Sequence, residues 1–457
     1  MLVQWENLRN YQIDAINFIA RKRGRCLISL CPGAGKSYVA LFLRKKYPKL
    51  KKVLIVCPSS IKLQWKTEVG KIFPEDSAIV LTGSSPDNPN LADKDFVIIN
   101  YDILNRDKKN SWADYLKNQG FDLIVFDESH KLKNREAARS KGAAALALNC
   151  KHVVLLTGTP ITSNVLDLWH QFYLIDPMNF RSFNTFMWKF CPLKKINVNK
   201  GNRNIEIEVP GKTRNIVELN QLIGHYFFQK SEKEVYKELP EMSKIIIPVD
   251  LSNYNDYEKA ENKFRKSTGN MLEASNNLQA TRMVIGQGKV QPTLEWLKDF
   301  FETSSDEKLV VFGYHRAVME QLHTSFGANK SVLYYGGMND KAKEEAKQKF
   351  IHDKNIKVFF ANIKSAGEGL DGLNTVCNKV VFIEYSYVPS DNTQAMARVR
   401  RMNSTFKNYF SYWMVAENTL DEKILKILDN RTKNNSLVLT GKEISEKELL
   451  MELFKNR

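Results

Sequence analysis

Residues 26–37 read CLISLCPGAGKS, an apolar run followed directly by a glycine-rich turn. Gly33 and Gly35 let the backbone wrap closely around phosphate oxygens, while Lys36 and Ser37 supply a positive charge and a Mg²⁺ ligand. A leucine stands where the strict phosphate-loop pattern has its first glycine, so only the GxGKS core of that pattern is present. The turn predicts a nucleotide site after a strand, and a glycine turn that caps a helix is the alternative.

Similar apolar runs recur along the chain. Four more precede residue 160, namely KVLIVCP (52–58), FVIIN (96–100), FDLIVFDE (121–128) and HVVLLTGT (152–159). Five follow residue 300, namely KLVVFGY (308–314), SVLYYGG (331–337), IKVFFAN (356–362), KVVFIEY (379–385) and FSYWMVA (410–416). Continuous rather than alternating apolarity predicts buried parallel strands with helical crossovers on both faces of each sheet.

This rhythm predicts two α/β lobes. We place the first lobe at 1–175, a helical interlobe region with a basic insertion at 176–285, the second lobe at 286–430 and a helical tail at 431–457. The basic stretch 194–215 contains turn residues that are compatible with a hairpin, and a solvated loop is the alternative. Residues 419–422 have the S/T-x-x-E form of a capping box and predict a helix start.

Length and composition limit the class of protein. A chain of 457 residues accommodates two or three domains of about 150 residues each. Hydrophobic residues make up 43% and charged residues 26%, which excludes a disordered chain. The formal net charge of +17 favours a polyanionic partner, with excess charge kept for solubility as the alternative.

The sequence shows no sign of a disulfide framework, a zinc site or a membrane anchor. Its six cysteines are scattered, without CxxC pairs or histidines at zinc spacing. No stretch approaches the roughly 20 apolar residues of a membrane helix, and the first residues lack a signal-peptide pattern. We therefore expect a cytoplasmic protein without a membrane partner.

The tetrapeptide DESH (127–130) follows an apolar strand. Asp127 at that strand end is placed to reach a Mg²⁺ ion held by Ser37, and Glu128 is placed to orient an attacking water. A carboxylate pair that caps the next helix is the alternative. The phosphate loop earlier in the chain favours the catalytic interpretation.

Two further motifs complete the candidate site. TGTP (157–160) again follows a strand, and its hydroxyls can relay between the acidic pair and a bound strand or the opposite lobe; a plain turn is the alternative. In QAMARVRRMN (394–403), Gln394, Arg398 and Arg401 have helical spacings that predict one shared face. Such arginines stabilise phosphoryl-transfer transition states, and a solvated basic face is the alternative.

Together these motifs resemble helicase superfamily two, and within it the Swi/Snf-like double-stranded DNA translocases, over residues 5–430. NYQIDAI (10–16), VCPSSIKLQWKTEV (56–69), IINYDIL (98–104), LLTGTPITSNVLDLW (155–169) and SAGEGLDGLNTV (365–376) follow the family's order. FMWKFC (186–191), KELPEM (237–242) and VVFGYHRAVMEQL (310–322) are similar to segments of the annealing-helicase, or HARP-like, group. Cys31 and Pro32 depart from the family pattern, as does the sequence after Arg401.

The resemblance implies an α/β fold with two RecA-like parallel-sheet lobes, helical interlobe insertions, and ATP and Mg²⁺ as cofactors. It implies nucleotide binding by Gln12, Gly33, Ala34, Gly35, Lys36 and Ser37, metal binding by Ser37 and Asp127, and catalysis by Glu128, Gln394, Arg398 and Arg401. It further implies DNA contacts by Ser59, Ser60, Gln64, Trp65, Asn100, Tyr101, Thr157, Gly158, Thr159, His315, Arg316, Ser365, Ala366 and Gly367.

The implied function is an ATP-dependent DNA translocase or helicase that remodels branched DNA by fork reversal or branch migration in replication, recombination or repair. Its partner would be double-stranded or branched DNA, together with unidentified replication or recombination proteins. We expect a monomer of phage or bacterial type, in a bacterial or phage-infected host cytoplasm. A strand-separating DNA or RNA helicase, an ATPase switch without motor activity, and the motor subunit of a restriction or defence complex remain alternatives.

Overall fold

The computed structural model describes residues 3–86, 89–104, 111–161, 164–200, 203–235, 241–267, 271–366, 370–401 and 404–434. The chain divides into two compact units, the first built mainly from Met1–Ile196 and Ile207–Tyr236 and the second mainly from Lys237–Leu439. Within those described ranges, no helix has the length and apolarity needed to cross a membrane. The predicted DNA contact Gly367 and the predicted tail beyond residue 434 lie outside the described residues.

The first unit is built on a seven-stranded sheet in which every strand pair is parallel. The strands of the first half of the chain are β1 (Arg25–Leu30), β2 (Val53–Cys57), β3 (Ala78–Val80), β4 (Phe96–Asn100), β5 (Leu123–Asp127), β6 (His152–Thr157), β7 (Leu193–Lys200), β8 (Arg203–Pro210) and β9 (Phe227–Lys230). The sheet order is β3-β4-β2-β5-β6-β1-β9, and β7 pairs with β8 in a separate two-stranded sheet. The basic stretch therefore forms the paired strands that its turn residues allow.

The connections between these strands are largely helical. The helices before, between and after these strands are α1 (Asn10–Arg21), α2 (Lys36–Lys46), α3 (Lys62–Ile72), α4 (Trp112–Leu116), α5 (Ala138–Ala147), α6 (Asp167–Ile175), α7 (Phe183–Phe190), α8 (Ile216–Gly224) and α9 (Glu232–Val235). Strands β2, β4 and β5 are buried at every position, as expected for parallel strands covered on both faces.

The second unit has a six-stranded parallel sheet of order β10-β15-β14-β11-β13-β12. Its strands are β10 (Met242–Val249), β11 (Leu309–Gly313), β12 (Ser331–Tyr334), β13 (Val358–Asn362), β14 (Lys379–Phe382) and β15 (Tyr409–Ala416). Its helices are α10 (Tyr254–Lys266), α11 (Met271–Gly288), α12 (Val290–Thr303), α13 (Arg316–Phe326), α14 (Asp340–His352), α15 (Ile363–Ala366), α16 (Pro389–Met396) and α17 (Leu420–Asn434). The predicted fold of two parallel-sheet lobes is confirmed.

The sheets extend beyond the predicted lobe boundaries at 175 and 285. Strand β9 forms the edge of the first sheet beside β1, and β10 forms the edge of the second sheet beside β15. The chain between these boundaries thus contributes strands to both units, in addition to its helices. Its strands did not stand out in the sequence because β9 is short and half-buried and β10 is largely exposed.

A buried ion pair ties the start of α17 to the second sheet. The Lys289 ammonium lies 2.7 Å from Asp421 Oδ2 and donates to the Met414 carbonyl at 3.0 Å. The predicted capping residues open α17, since Thr419 Oγ1 accepts from the Asp421 amide. Glu422, however, accepts from the amide of Asn418 rather than from that of the threonine.

Candidate active site

The candidate site lies at the carboxyl edge of the first sheet. Strands β1 and β6 are neighbours with Ser29 opposite Thr157, and β5 and β6 are neighbours with Asp127 opposite Leu156. Because parallel strands end at the same edge of a sheet, the phosphate loop, the acidic pair and the threonine turn come together there. The register thus explains how motifs far apart in sequence form one site.

The glycine-rich turn between β1 and α2 has the geometry of a phosphate loop. Gly33 and Gly35 have φ values of 82° and 71°, in the left-handed region that glycine tolerates best. Helix α2 begins at Lys36 directly after this turn, so its first amide groups face the loop. The Lys36 ammonium donates to the Leu30 carbonyl at 3.2 Å, across the base of the loop.

The first turn of α1 holds the phosphate loop from outside. The Tyr11 hydroxyl and the Gln12 side-chain amide both donate to the Ala34 carbonyl at 3.0 Å. Gln12 also accepts from the Arg9 amide at 2.8 Å, and both side chains are buried. Gln12 therefore fixes the loop backbone, and its implied role in adenine binding stays a prediction. The sequence patterns missed Tyr11, since a tyrosine at a helix start carries no specific signal.

Asp127 ends β5 with both carboxylate oxygens engaged. Oδ2 accepts from the Trp65 indole N–H at 2.9 Å, and Oδ1 accepts from the Glu128 amide at the same distance. Burial, together with the neighbouring Glu128 carboxylate, raises the pKa of Asp127 to about 7, while Lys36 and the indole act in the opposite direction. A divalent cation at this position would favour the charged carboxylate.

Glu128 and the threonine turn are connected through His130. Glu128 Oε2 lies 3.3 Å from His130 Nδ1, which lies 3.0 Å from Thr157 Oγ1. The same hydroxyl accepts from the Thr159 amide at 3.1 Å. These contacts bring Glu128 and the turn after β6 to the same ring nitrogen of His130, and the relay through that turn stays a prediction.

A second connection joins the two motifs below the surface. The Ser129 hydroxyl donates to Gln171 Oε1 at 2.9 Å, and Gln171 Nε2 donates to the Pro160 carbonyl at 2.8 Å. Ser129 and Gln171 are fully buried. The sequence motifs did not include Gln171, although an amide inside the apolar segment DLWHQFYLI signals a buried polar contact.

The residues implied to contact DNA in the first unit fall into two groups. Ser59 is exposed, and Ser60, Gln64, Gly158 and Thr159 are half-buried. The other side chains are buried and take partners within the protein, namely Trp65, Asn100, Tyr101 and Thr157. Only the first group offers side-chain or backbone surface to a nucleic acid in this structure.

In the second unit, His315 faces a buried carboxylate. Its Nδ1 lies 2.5 Å from Glu384 Oε1, and the amides of Tyr314 and His315 both donate to Oε2 at 2.9 Å. Burial alone would raise the pKa of Glu384, but the bonds from His315 and the charge of Arg282 lower it overall. The neighbouring Arg316 is more exposed and lies 4.1 Å above the Tyr335 ring.

The arginine motif differs from its predicted form. Gln394 lies on α16, but the helix ends at Met396. The prediction that Gln394 shares one helix face with Arg398 and Arg401 is therefore wrong. The chain tightens at the helix end, where the Arg398 amide donates to the carbonyl three residues earlier. Among the other implied contacts, Ser365 is half-buried on α15.

Within the second unit, the Arg401 guanidinium has three protein partners. It forms an ion pair with Asp371 and donates to the carbonyls of Leu370 at 3.3 Å and Ala397 at 3.2 Å. Its position is thus set by the segment that precedes Leu373 as well as by the turn after α16. Its implied catalytic role, and those of Gln394 and Arg398, stay predictions.

Two parallel sheets, the first of which carries a phosphate loop and an acidic pair at its carboxyl edge, define a two-lobed phosphate-loop NTPase. The SNF2-related domain model matches residues 11–298, and the helicase conserved C-terminal domain model matches residues 292–403. The chain belongs to the SNF2-related family. The resemblance to Swi/Snf-like members of helicase superfamily two is confirmed, whereas a phage or bacterial origin stays a prediction.

Several curated proteins are similar to almost the whole chain. The DNA annealing helicase and endonuclease ZRANB3 of Bos taurus is 25% identical over 447 residues, which are 95% of this chain and 40% of that protein. A Caenorhabditis elegans homolog of SWI/SNF-related matrix-associated actin-dependent regulator of chromatin subfamily A-like protein 1 is 26% identical over 435 residues, covering 93% and 61%. The chain thus spans 40% to 61% of the length of these two relatives.

Among solved structures, the Sulfolobus solfataricus SWI2/SNF2 ATPase core in complex with dsDNA is 20% identical to this chain. The comparison covers 97% of this chain and 96% of that chain, with a TM-score of 0.45.

Proposed function

We propose that this protein is an ATP-dependent double-stranded DNA translocase that remodels branched DNA in replication, recombination or repair. The observation that carries the proposal is that Glu128 and Thr157 both contact Nδ1 of His130, at the sheet edge that holds the phosphate loop. This contact links Glu128, which is suited to orient a water, to the turn after β6, where Gly158 and Thr159 are partly exposed. Membership of the SNF2-related family and the annealing-helicase name of one relative support the DNA-remodelling part.

The residues at the sheet edge fit ATP with Mg²⁺. The glycine φ values shape a turn whose amides can receive phosphate oxygens, and Lys36 needs to exchange only a carbonyl partner for a phosphate. Each oxygen of Asp127 accepts one of the hydrogen bonds described above and retains a lone pair. Ser37 and Asp127 would hold Mg²⁺, which neutralises phosphate charge, and Glu128 would orient the attacking water.

Duplex binding is proposed to rest on contacts to the phosphate backbone. The net charge of +17, the exposed Ser59 and the half-buried Ser60 suit a polyanion that is held without reading its bases. Such binding lets a motor move along any sequence. The same chemistry suits an arm of a fork or a four-way junction.

The test is steady-state ATPase activity at one salt concentration without nucleic acid and with single-stranded DNA, duplex DNA, RNA, a model fork and a four-way junction. Strongest stimulation by duplex or branched DNA, with branch migration of the junction, is the expected result. Stimulation mainly by single strands or RNA would instead indicate a strand-separating helicase. Lys36→Ala controls for contaminating ATPase, because it removes the phosphate-loop charge.

A further inference from the structure

Two buried aromatic side chains hold Asp127 from two different segments. Trp65 on α3 donates its indole N–H to the carboxylate, as described above. Tyr101, directly after β4, donates its hydroxyl to the main-chain carbonyl of Asp127 at 2.7 Å. The two residues are 2% and 1% exposed, so neither offers its ring to a nucleic acid.

These contacts fix both the backbone and the side chain of Asp127. With Tyr101 on the main-chain carbonyl, Trp65 on Oδ2 and the Glu128 amide on Oδ1, the rotation of the carboxylate is determined. A metal-binding carboxylate depends on partners of this kind for its orientation. The partner of Oδ2 differs from the others because it comes from a surface helix.

Helix α3 reaches from the protein surface to Asp127. Ser59 precedes it and is exposed, and Leu63 in its first turn is 62% exposed. Trp65, two residues further on, points inward to the carboxylate. Because a helix moves as a rigid unit, a ligand that displaces its outer surface also displaces the indole.

We infer that Trp65 is a positioning residue that couples DNA contact at the start of α3 to the orientation of the Asp127 carboxylate, with Tyr101 as the support for the main chain. The inference rests on the proposed function and adds to it the route by which DNA accelerates hydrolysis. Trp65 itself touches neither DNA nor nucleotide.

Trp65→Phe tests the coupling because it removes the N–H and keeps most of the ring. The matched control is Trp112→Phe on α4, whose indole is 3% exposed and donates to the Gly83 carbonyl at 3.0 Å. Basal kcat, duplex-stimulated kcat, the duplex concentration for half stimulation and the thermal midpoint are measured for both. We expect Trp65→Phe to lower the ratio of stimulated to basal kcat by about fivefold or more, a typical coupling between sites.

Trp112→Phe should leave this ratio unchanged, and neither variant should change the duplex concentration for half stimulation. An unchanged ratio in Trp65→Phe, or an equal loss in both variants, would overturn the inference while leaving the proposed function intact. A wild-type enzyme that no nucleic acid stimulates would overturn both. Tyr101→Phe, which loses only the hydroxyl, provides a second test should Trp65→Phe fail to fold, with the same fall in the ratio expected.

Discussion

Glu128 has a φ value of 51°, a left-handed conformation that is unfavourable for a residue with a side chain. Two hydrogen bonds hold Glu128 in this conformation. The Glu128 amide donates to Asp127 Oδ1, and the Lys131 amide donates to the Glu128 carbonyl at 3.0 Å. Such strain costs about 1–3 kcal/mol and persists where the surroundings determine the conformation. Here it directs the carboxylate toward His130.

Glu128→Gln keeps this geometry and removes the negative charge that orients and deprotonates water. We expect ATP binding to persist and kcat to fall by about 10²- to 10⁴-fold. Nucleotide binding by fluorescence and turnover by phosphate release measure the two quantities separately. Near-normal turnover in this variant would refute the water-orienting role.

The environment of Glu384 predicts an acid-sensitive second unit. Its carboxylate is buried against His315 and Arg282, and its pKa is lowered in the folded protein. A lowered pKa means that the unfolded chain binds the proton more readily, so the stabilisation is present at neutral pH and is lost as pH falls through the folded pKa. Glu384→Gln should therefore reduce the thermal midpoint most at neutral pH.

The difference between wild type and Glu384→Gln should shrink progressively below the ordinary glutamate pKa. Thermal unfolding followed by circular dichroism across a pH series measures this difference. A difference that stays constant from acid to neutral pH would show that the lost contacts are steric rather than ionic. Glu320→Gln is the matched control, because that carboxylate pairs with Arg316 at the surface.

At the scale of elements, Arg25 at the start of β1 fastens the end of α6. Its guanidinium donates to the carbonyls of Ile175 and Leu174 at 2.6 Å and of Cys150 at 2.7 Å. Helix ends leave carbonyls without partners, so this side chain replaces the missing turn. It thereby joins the outer helix to the strand that leads into the phosphate loop.

Arg25→Ala should destabilise the first unit by about 2–4 kcal/mol, since it removes several charge-assisted hydrogen bonds from half-buried carbonyls. Arg21→Ala, at an exposed position on α1, is the control and should have little effect. Denaturant unfolding followed by a probe in the first unit makes the comparison. Equal stability of the two variants would contradict the capping role.

Replacing Arg401, in the turn after α16, should affect turnover more than nucleotide binding. If Arg401 stabilises charge that develops on the transferred phosphate, Arg401→Ala should lower kcat by about 10³-fold and change ATP affinity much less. Steady-state kinetics with direct nucleotide-binding measurements separate these effects. A loss of affinity with preserved kcat would assign the residue to ground-state binding instead.

Element type was predictable where burial is complete. The runs of β2, β4 and β5 are apolar except for Asn100 and Asp127 at the ends of β4 and β5, and such runs favour covered parallel strands, so their sequences identified them. Strand β10 was missed because its apolar stretch, residues 245–249, is short and contains Pro248, a residue that argues against a strand. The end of α16 was missed because arginine spacing continues past Met396, whereas the backbone bonds change there.

The motifs of the candidate site were predictable from the sequence, but the side chains that hold those motifs in place were not. Glycines, lysine and paired carboxylates carry their chemistry in the sequence, and the sheet register brings them together. Tyr11, Gln171 and the inward orientation of Trp65 depend on which side of a helix faces the sheet. Side-chain partners distant in sequence leave no local pattern.

At the scale of the whole molecule, the net charge of +17 predicts strongly salt-dependent binding to duplex DNA. Each phosphate contact releases a counterion, so the logarithm of affinity should fall linearly with the logarithm of salt concentration, with a slope of about −0.9 per contact. Fluorescence anisotropy with two duplexes of unrelated sequence measures the slope. Equal slopes and affinities are expected, and a strong preference for one sequence would contradict backbone recognition.

The order of strands in the second sheet has a consequence for synthesis on the ribosome. Strand β10 occupies the sheet edge beside β15, yet β15 is translated long after it, with most of the unit between them. The isoleucines of β10 therefore lack their pairing strand while the ribosome translates the intervening helices and strands. The Lys289 ammonium likewise lacks its ion-pair partner until Asp421 is translated. A nascent second unit is thus open to misassociation until its last strand and helix emerge.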